Sequence, residues 1–583
     1  MSDRTTVSVT DFGYSPGSGL DATPAVAAAV QQCRATGATV LVFPPGNYDF
    51  WPDHAEVRAE VESNTYALAE RACAVVLDGM DGLEIDGGGS SLLFHGRVQP
   101  LSIIGSSNIA IRDLSIDFPV PFLGQATVVA ATPERVVLAV DPETSWHVED
   151  ERLVVIGEGW DSIVAGYMEF DAGTRRVAAG TGDEGCFQPV GQKYKVTDEG
   201  DGTIALHHAF TRTPKVGNVV VLRHSVRNLS GVFIDNSTDV VLDRVAVHHS
   251  PGISVLAQHS RNLTFKSVTC APSPESGRIF AGHADGIHVS GCAGLVEVLD
   301  CSFAGLMDDP VNVHGTYLTV VEASHGRLRA SFAHDMSLGL DWAAVGERVA
   351  VLDAQTLAKA GTLVIDAVHP QPNGDVELEF SGDLAVQPGH ILENRDRCPD
   401  VTVRDSVFGN GRARGLLLST RGTVRVERNS FSSSGAAILV AGDTMDWYES
   451  GAVRDVTIDG NHFDDACLTS PYQFGEAVIS IVPTLRKVDA RNPYHRGITV
   501  TNNTAVLAGA AFLYAQSCEG LTVTGNRISA GAGEPVEQPR TDLVTLEACT
   551  DVTVAGNVLE DGLASYDVMA DGELLGRADA VTV

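Results

Sequence analysis

The sequence predicts an all-β chain: a right-handed parallel β-helix with an N-terminal capping helix and two inserted small β-barrel domains. Three observations point there. A unit of about 22–23 residues recurs: one copy starts at Asn236, the next at His259, and others near Gly291, Cys398, Thr420, Ser450, His495, Cys518 and Cys549. Such a fixed period is the mark of a solenoid. Each unit alternates apolar and polar residues over about five positions, the pattern of a strand with one buried face. Several units then close on Asn plus an apolar turn, as in Arg428-Asn429-Ser430-Phe431, Gly460-Asn461-His462-Phe463, Gly525-Asn526-Arg527-Ile528 and Gly556-Asn557-Val558-Leu559. Asn and Gly suit such turns because they tolerate positive φ or bond back to the backbone. The content of 59 Gly and 25 Pro among 583 residues argues in the same direction, against long helices.

The elements follow in chain order. Residues 1–120 hold the cap and the first coils. Asp21-Ala22-Thr23-Pro24 opens an Ala-rich segment running to Cys33, with a capping side chain and an early proline, so it is expected to be a helix. A solenoid needs its open end covered, and this helix is the natural lid. Residues 121–222 and 316–393 carry no Asn-turn units but do carry β-rich runs, such as Ala126-Thr127-Val128-Val129 and Arg348-Val349-Ala350-Val351. Unstructured loops of that length are uncommon, so both are expected to be inserted β-domains. The second begins directly after an Asp-Asp pair and is expected to wall the site there. Residues 223–315 and 394–583 are the remaining coils.

Charge and composition narrow the function. Lys and Arg total 40 against 75 Asp and Glu, a formal net charge of −35. Nucleic acid and anionic membranes demand a basic surface, so neither is an expected partner. No apolar run approaches a membrane span, and no secretory signal is legible after Met1. On that reading the chain is cytoplasmic, or is secreted with its signal removed. Cys398, Cys518 and Cys549 occupy one point of the repeat, which suits buried packing thiols rather than a disulfide framework. No CxxC pair is present to suggest structural zinc.

The candidate chemistry lies in His283-Ala284-Asp285-Gly286 and Met307-Asp308-Asp309-Pro310, whose aspartates are 23 to 24 residues apart. One coil is about that long, and adjacent strands are roughly 4.8 Å apart. Asp285, Asp308 and Asp309 are thus expected on neighbouring rungs, facing one ligand. An isolated Asp-Asp-Pro is ordinarily a solvated turn. Here Asp308 and Asp309 are expected at a bend, both facing solvent, because strand geometry would drive one of them inward. His283, His288, Asn312 and His314 fall on the same rungs. Three close carboxyls cannot all ionise without strain, so one pKa should rise, giving the division between acid and base that glycoside hydrolysis uses. Downstream, Arg412-Ala413-Arg414 and Trp447-Tyr448-Glu449 are dense enough to wall the same cleft, the tryptophan against the apolar side of a sugar. His248-His249 carries less signal and is expected to be structural.

At these residues the sequence resembles glycoside hydrolase family 110. The matching segments run from His283 to His288, Gly305 to His314, Arg412 to Thr420 and Trp447 to Gly451. The resemblance implies an inverting exo-α-galactosidase that removes terminal α-1,3-linked galactose, from blood group B glycans or linear Galα1-3Gal, without metal or other cofactor. It puts catalysis on Asp308, Asp285 and Asp309. A further likeness to family 28 polygalacturonases makes Asp308 the expected general acid, with Asp285 and Asp309 positioning and deprotonating water. Expected substrate-binding residues are His283, His288, Asn312, His314, Arg414, Trp447 and Glu449, and the expected partner is a galactose-terminated oligosaccharide or glycoconjugate. A homodimer is compatible with the sequence, which does not fix the oligomeric state. Two alternatives stay open: a polysaccharide lyase using Asp-bound calcium, and a non-catalytic glycan-binding β-helix.

Overall fold

The computed structural model describes residues 5–181, 194–224, 227–382, 384–470, 472–533 and 536–582. Strands stack in parallel into a β-helix. One sheet runs Val232–Asp235, Val255–Gln258, Ile287–Ser290, Val311–Thr316, Leu416–Leu418, Ile438–Val440 and Ile479–Ile481, each paired in parallel with the next. A second face runs Arg261–Lys266, Ala293–Leu299, Asp400–Arg404, Thr423–Glu427 and Asp455–Asp459. Its strands alternate as the sequence pattern requires: in Asp455–Asp459, Val456 and Ile458 are buried while Asp455 is exposed. The apolar positions of both faces converge on one core.

The regular recurrence of the turns has a physical basis in side-chain ladders. Asn461 accepts from the backbone N–H of Asn429 (2.9 Å), Asn503 from that of Asn461 (2.8 Å), Asn526 from that of Asn503 (3.0 Å) and Asn557 from that of Asn526 (3.0 Å). Each buried amide therefore satisfies the turn of the preceding coil, which removes the cost of orphaned backbone donors. Beside it, Phe303, Phe408, Phe431 and Phe463 stack through successive coils with centroids 4.5–5.3 Å apart.

The helix Thr23–Thr36 covers the N-terminal end, burying Val26, Ala29, Val30 and Cys33 in the same core. The Asp21 carboxylate accepts from the Thr23 N–H (2.9 Å) and hydroxyl (2.6 Å) at its start. Nine cysteines among the described residues are free thiols; Cys518 is buried, and Cys398 and Cys549 are partly so. Cys186 lies outside the described residues.

Both insertions are β-structured. Leu318–Ser324, Arg327–Phe332, Val376–Ser381, Lys359–Pro370, Arg348–Leu352 and Ile391–Asn394 close into a six-strand barrel with its own apolar core. It lies between Val311–Thr316 and Leu416–Leu418, which nevertheless pair as adjacent rungs. In the first insertion, Leu123–Thr132, Arg135–Val140, Gly166–Phe170, Lys195–Gly200, Thr203–His207 and Val219–Arg223 form a six-stranded antiparallel sheet, joined by a three-stranded meander from Ser145 to Ile163. This insertion docks on a C-terminal turn, through Arg176 with Asp464 (2.8 Å) and the Gly180 N–H to Thr469 O (2.7 Å).

Candidate active site

The two aspartate motifs meet because their rungs are in register. Ile287 pairs with Val311 and His288 with Asn312. Just before those strands, the Gly286 N–H donates to Asp309 O (2.9 Å) and the Ile287 N–H to Pro310 O (2.8 Å). A side chain at 286 would place its Cβ 2.5 Å from Pro310 O, so the glycine permits the rungs to close. Pairing of Val311 with Leu416 carries the alignment one rung further and sets Arg414 beside Asp309. Glu449–Ser450 pairs antiparallel with Gly315 and Thr316, which brings Glu449 to the same place from a loop.

The result is a cleft bordered by the aspartate trio together with Asn64, Arg227, Arg414, Trp447, Glu449 and Tyr472. Each carboxyl has its own partner. Asp308 is bound by Arg227 Nη1 at 3.1 Å. Asp309 accepts from the Arg414 backbone N–H (3.1 Å) and from Arg414 Nη2 (2.5 Å). Asp285 Oδ2 lies 2.7 Å from His288 Nδ1. Asp308 is the outermost of the three, its side chain 18% exposed against 6% for Asp285 and 1% for Asp309.

The expectation that Asp308 and Asp309 both face solvent is therefore corrected. Asp309 is turned in, and the guanidinium of Arg414 from the next rung compensates its charge. Electrostatics separate the trio further. Burial, reinforced by Asp308 and Glu449, pushes the Asp285 carboxyl well above the ordinary range. Burial also pushes Asp309 up, with Arg414 opposing and Asp308 and Asp285 adding to it. For Asp308 burial acts in the same sense, but Arg227, Arg412, Arg414 and Arg223 together outweigh it and hold the carboxyl low. Asp308 is thus the member whose ionisation its surroundings favour most, although it is the residue expected to act as acid.

Aromatic and basic side chains form the walls. Trp447 stacks on His334 of the barrel (centroids 4.4 Å apart, 27° between planes), with Arg227 over its ring at 4.9 Å. Asp443 fixes the Trp447 loop by accepting from the backbone N–H groups of Met445 (2.8 Å), Asp446 and Trp447. Opposite, Arg412 and Arg414 lie over Tyr472 at 4.5 and 4.8 Å. The Asn64 N–H donates to Met336 O (3.1 Å), and the Asn64 amide donates to Glu449 Oε1 (2.9 Å). The inserted barrel was expected to wall the site; it instead supports the wall from outside, through His334 on Trp447 and Met336 O on Asn64, and none of its described residues borders the cleft.

Of the residues expected to bind substrate, His288, Asn312, Arg414, Trp447 and Glu449 border the cleft. His283 and His314 do not. His283 is fully packed, neither ring nitrogen having a hydrogen-bond partner among the described residues. His314 stands behind His288, their Nε2 atoms 2.8 Å apart. His249 is structural as expected: its ring nitrogens meet the Phe122 N–H (2.8 Å) and Ala281 O. Asn64, Arg227, His334 and Tyr472 were not singled out from sequence. None belongs to a repeat unit; Arg227 shows only as a basic residue just after the first insertion.

Fold and site together define a carbohydrate-active enzyme of the parallel β-helix class. Residues 124–220 match the family model described as GLAA-B beta-barrel domain I. The chain is 38% identical over 580 residues to alpha-1,3-galactosidase B of Bacteroides thetaiotaomicron, covering 98% of this chain and 92% of that one. It is 31% identical to alpha-1,3-galactosidase A of Bacteroides fragilis, covering 96% and 93%. Among solved structures, the A-module of mannuronan C-5 epimerase AlgE4 from Azotobacter vinelandii aligns over 95% of this chain and 97% of that one, at 11% identity and a TM-score of 0.42. The chain belongs to glycoside hydrolase family 110, the α-1,3-galactosidases.

Proposed function

We propose that the chain hydrolyses terminal α-1,3-linked galactose from the non-reducing end of glycans, linear Galα1-3Gal or branched blood group B structures, by single displacement with inversion. The observation that carries this reading is the placement of Asp285, Asp308 and Asp309 in one cleft, each with a separate partner, in a chain whose relatives bear the α-1,3-galactosidase name. Asp308, the outermost of the three, is the acid that protonates the departing glycosidic oxygen. Asp285 and Asp309 hold and deprotonate the attacking water on the other side of the anomeric carbon.

A retaining mechanism needs an ionised carboxylate with a free oxygen to attack carbon. Both oxygens of Asp309 accept from Arg414, and Asp285 Oδ2 is engaged by His288 Nδ1 at 2.7 Å. Both groups suit gripping a water better than bonding to the sugar. Trp447, backed by His334, offers an aromatic face to the acceptor sugar, while Asn64, Arg227 and Glu449 offer polar atoms to hydroxyls. The direct test is galactose release from Galα1-3Gal and from the B trisaccharide by the wild type and by Asp308→Asn. Release by the first and loss in the second is expected; full activity of Asp308→Asn on both would remove Asp308 from the chemistry.

A further inference from the structure

Behind Asp285 runs a chain of hydrogen bonds whose donors can be assigned by elimination. Gly315 O can only accept, so His314 Nδ1, 2.7 Å away, carries a hydrogen. A neutral His314 then has a bare Nε2. That atom faces His288 Nε2 at 2.8 Å, and the contact needs one hydrogen, which His288 supplies. Neutral His288 is left with a bare Nδ1, yet Asp285 Oδ2 lies 2.7 Å from it. Two unprotonated acceptors do not approach so closely. One more proton lies between them, either on Asp285 as a neutral acid or on His288 as an imidazolium beside a carboxylate. The two descriptions have the same composition.

We propose that Asp285 and His288, held in this tautomer by His314, form the proton store of the displacement. The inference rests on the inverting reading above and adds where its protons go. Water attacks the anomeric carbon and gives its proton to Asp285. The bond from that carbon to the glycosidic oxygen breaks, and the oxygen takes the proton of Asp308. Turnover thus ends with Asp308 ionised beside Arg227 and a proton between Asp285 and His288. The next cycle needs that one proton returned to Asp308, with no net exchange with solvent. The direction of that transfer agrees with surroundings that hold Asp308 low and push Asp285 up.

His288 and His314 are positioning residues here, acting through Asp285. The groups facing their rings are Asp285, Glu449, Asp308 and Arg227. Glu449 Oε1 is 3.5 Å from His314 Nε2 but already accepts from Asn64 (2.9 Å) and Asn312 (3.4 Å). Burial pushes both rings down, His288 to about 4, which disfavours a second proton on His314 and favours the description with the shared proton on Asp285.

The experiment is nitrogen-15 histidine spectroscopy on the whole protein, with signals assigned by their loss in His288→Gln and His314→Gln. His314 should carry its hydrogen on Nδ1 and His288 one on Nε2; a neutral His288 protonated on Nδ1 alone overturns the proposal. The same variants are followed kinetically. In His288→Gln, kcat should fall roughly 10²-fold and the basic limb of kcat/KM should move down by about 1 pH unit, with KM close to wild type. A limb that does not move in either variant makes the rings merely structural and also overturns it. A retained galactose anomer would sink the inverting reading while leaving the tautomers as assigned, so the two failures are distinguishable.

Discussion

Arg414 holds Asp309 twice, through its backbone N–H at 3.1 Å and its guanidinium at 2.5 Å, although the two residues are 105 positions apart in the chain. The bond joins adjacent rungs on either side of the inserted barrel and ties the Asp308–Asp309 turn to the coil that follows it. Removing the cation leaves a buried carboxylate unpaired, which typically costs about 3–5 kcal/mol. Arg414→Ala should lose stability on that scale in a denaturant titration, and Arg414→Lys should recover only part of it, because an ammonium cannot reproduce the fork. A stability loss below about 1 kcal/mol for Arg414→Ala would show the pair to be dispensable.

The assignment of Asp308 as acid makes a prediction about leaving groups. Asp308→Asn should fold, with a somewhat lower melting temperature at neutral pH because Arg227 loses its carboxylate, and lose roughly 10³-fold in kcat on Galα1-3Gal. On an aryl α-galactoside with a strongly acidic phenol, whose departure needs little protonation, the loss should be far smaller. Equal losses on the two substrates would point to a role other than proton donation.

Asp285 gives a prediction of opposite sign for stability and activity. Its folded pKa lies above the unfolded value, so folding takes up a proton and this carboxyl disfavours the fold increasingly as pH rises past the unfolded value near 3.8. Asp285→Asn is the neutral isostere and can donate to His288 Nδ1 as the protonated acid does. It should abolish turnover yet raise the melting temperature by a few degrees at neutral pH, with the gain vanishing below about pH 4. Melting curves at pH 7.5 and 4 test this; a destabilised variant at the higher pH would contradict the raised pKa.

Trp447, stacked on His334 and under Arg227, should recognise the sugar beyond the scissile bond. Trp447→Ala is expected to raise KM about tenfold on Galα1-3Gal, the worth of one aromatic contact, with less effect on an aryl α-galactoside. Running linear and branched B substrates side by side shows whether this wall also sets their ratio. A KM unchanged on every substrate would take Trp447 out of the acceptor site.

Much of this architecture was legible because it repeats. The Asn turns marked the coils, and the buried Asn429–Asn461–Asn503 ladder explains why that residue is placed there. The one-coil interval between Asp285 and Asp308 brought the carboxyls together correctly. What could not be read came from non-repeating segments. Arg227, Asn64 and Tyr472 reach the cleft, and His334 reaches Trp447 on its wall, from connections whose course depends on tertiary packing. The inward turn of Asp309 was missed because its compensating cation comes from Arg414, on a rung separated by an entire inserted domain. His283 and His314 sit on the right rungs but point away from the cleft, and only His314 is tied to it, through His288.

The most direct test of the central claim is proton NMR of the first minutes of Galα1-3Gal hydrolysis, before mutarotation mixes the anomers. Hydrolysis with inversion by Asp308 and an Asp285-bound water predicts β-galactose as the first product. Initial α-galactose would contradict it, requiring one aspartate to bond covalently to the sugar.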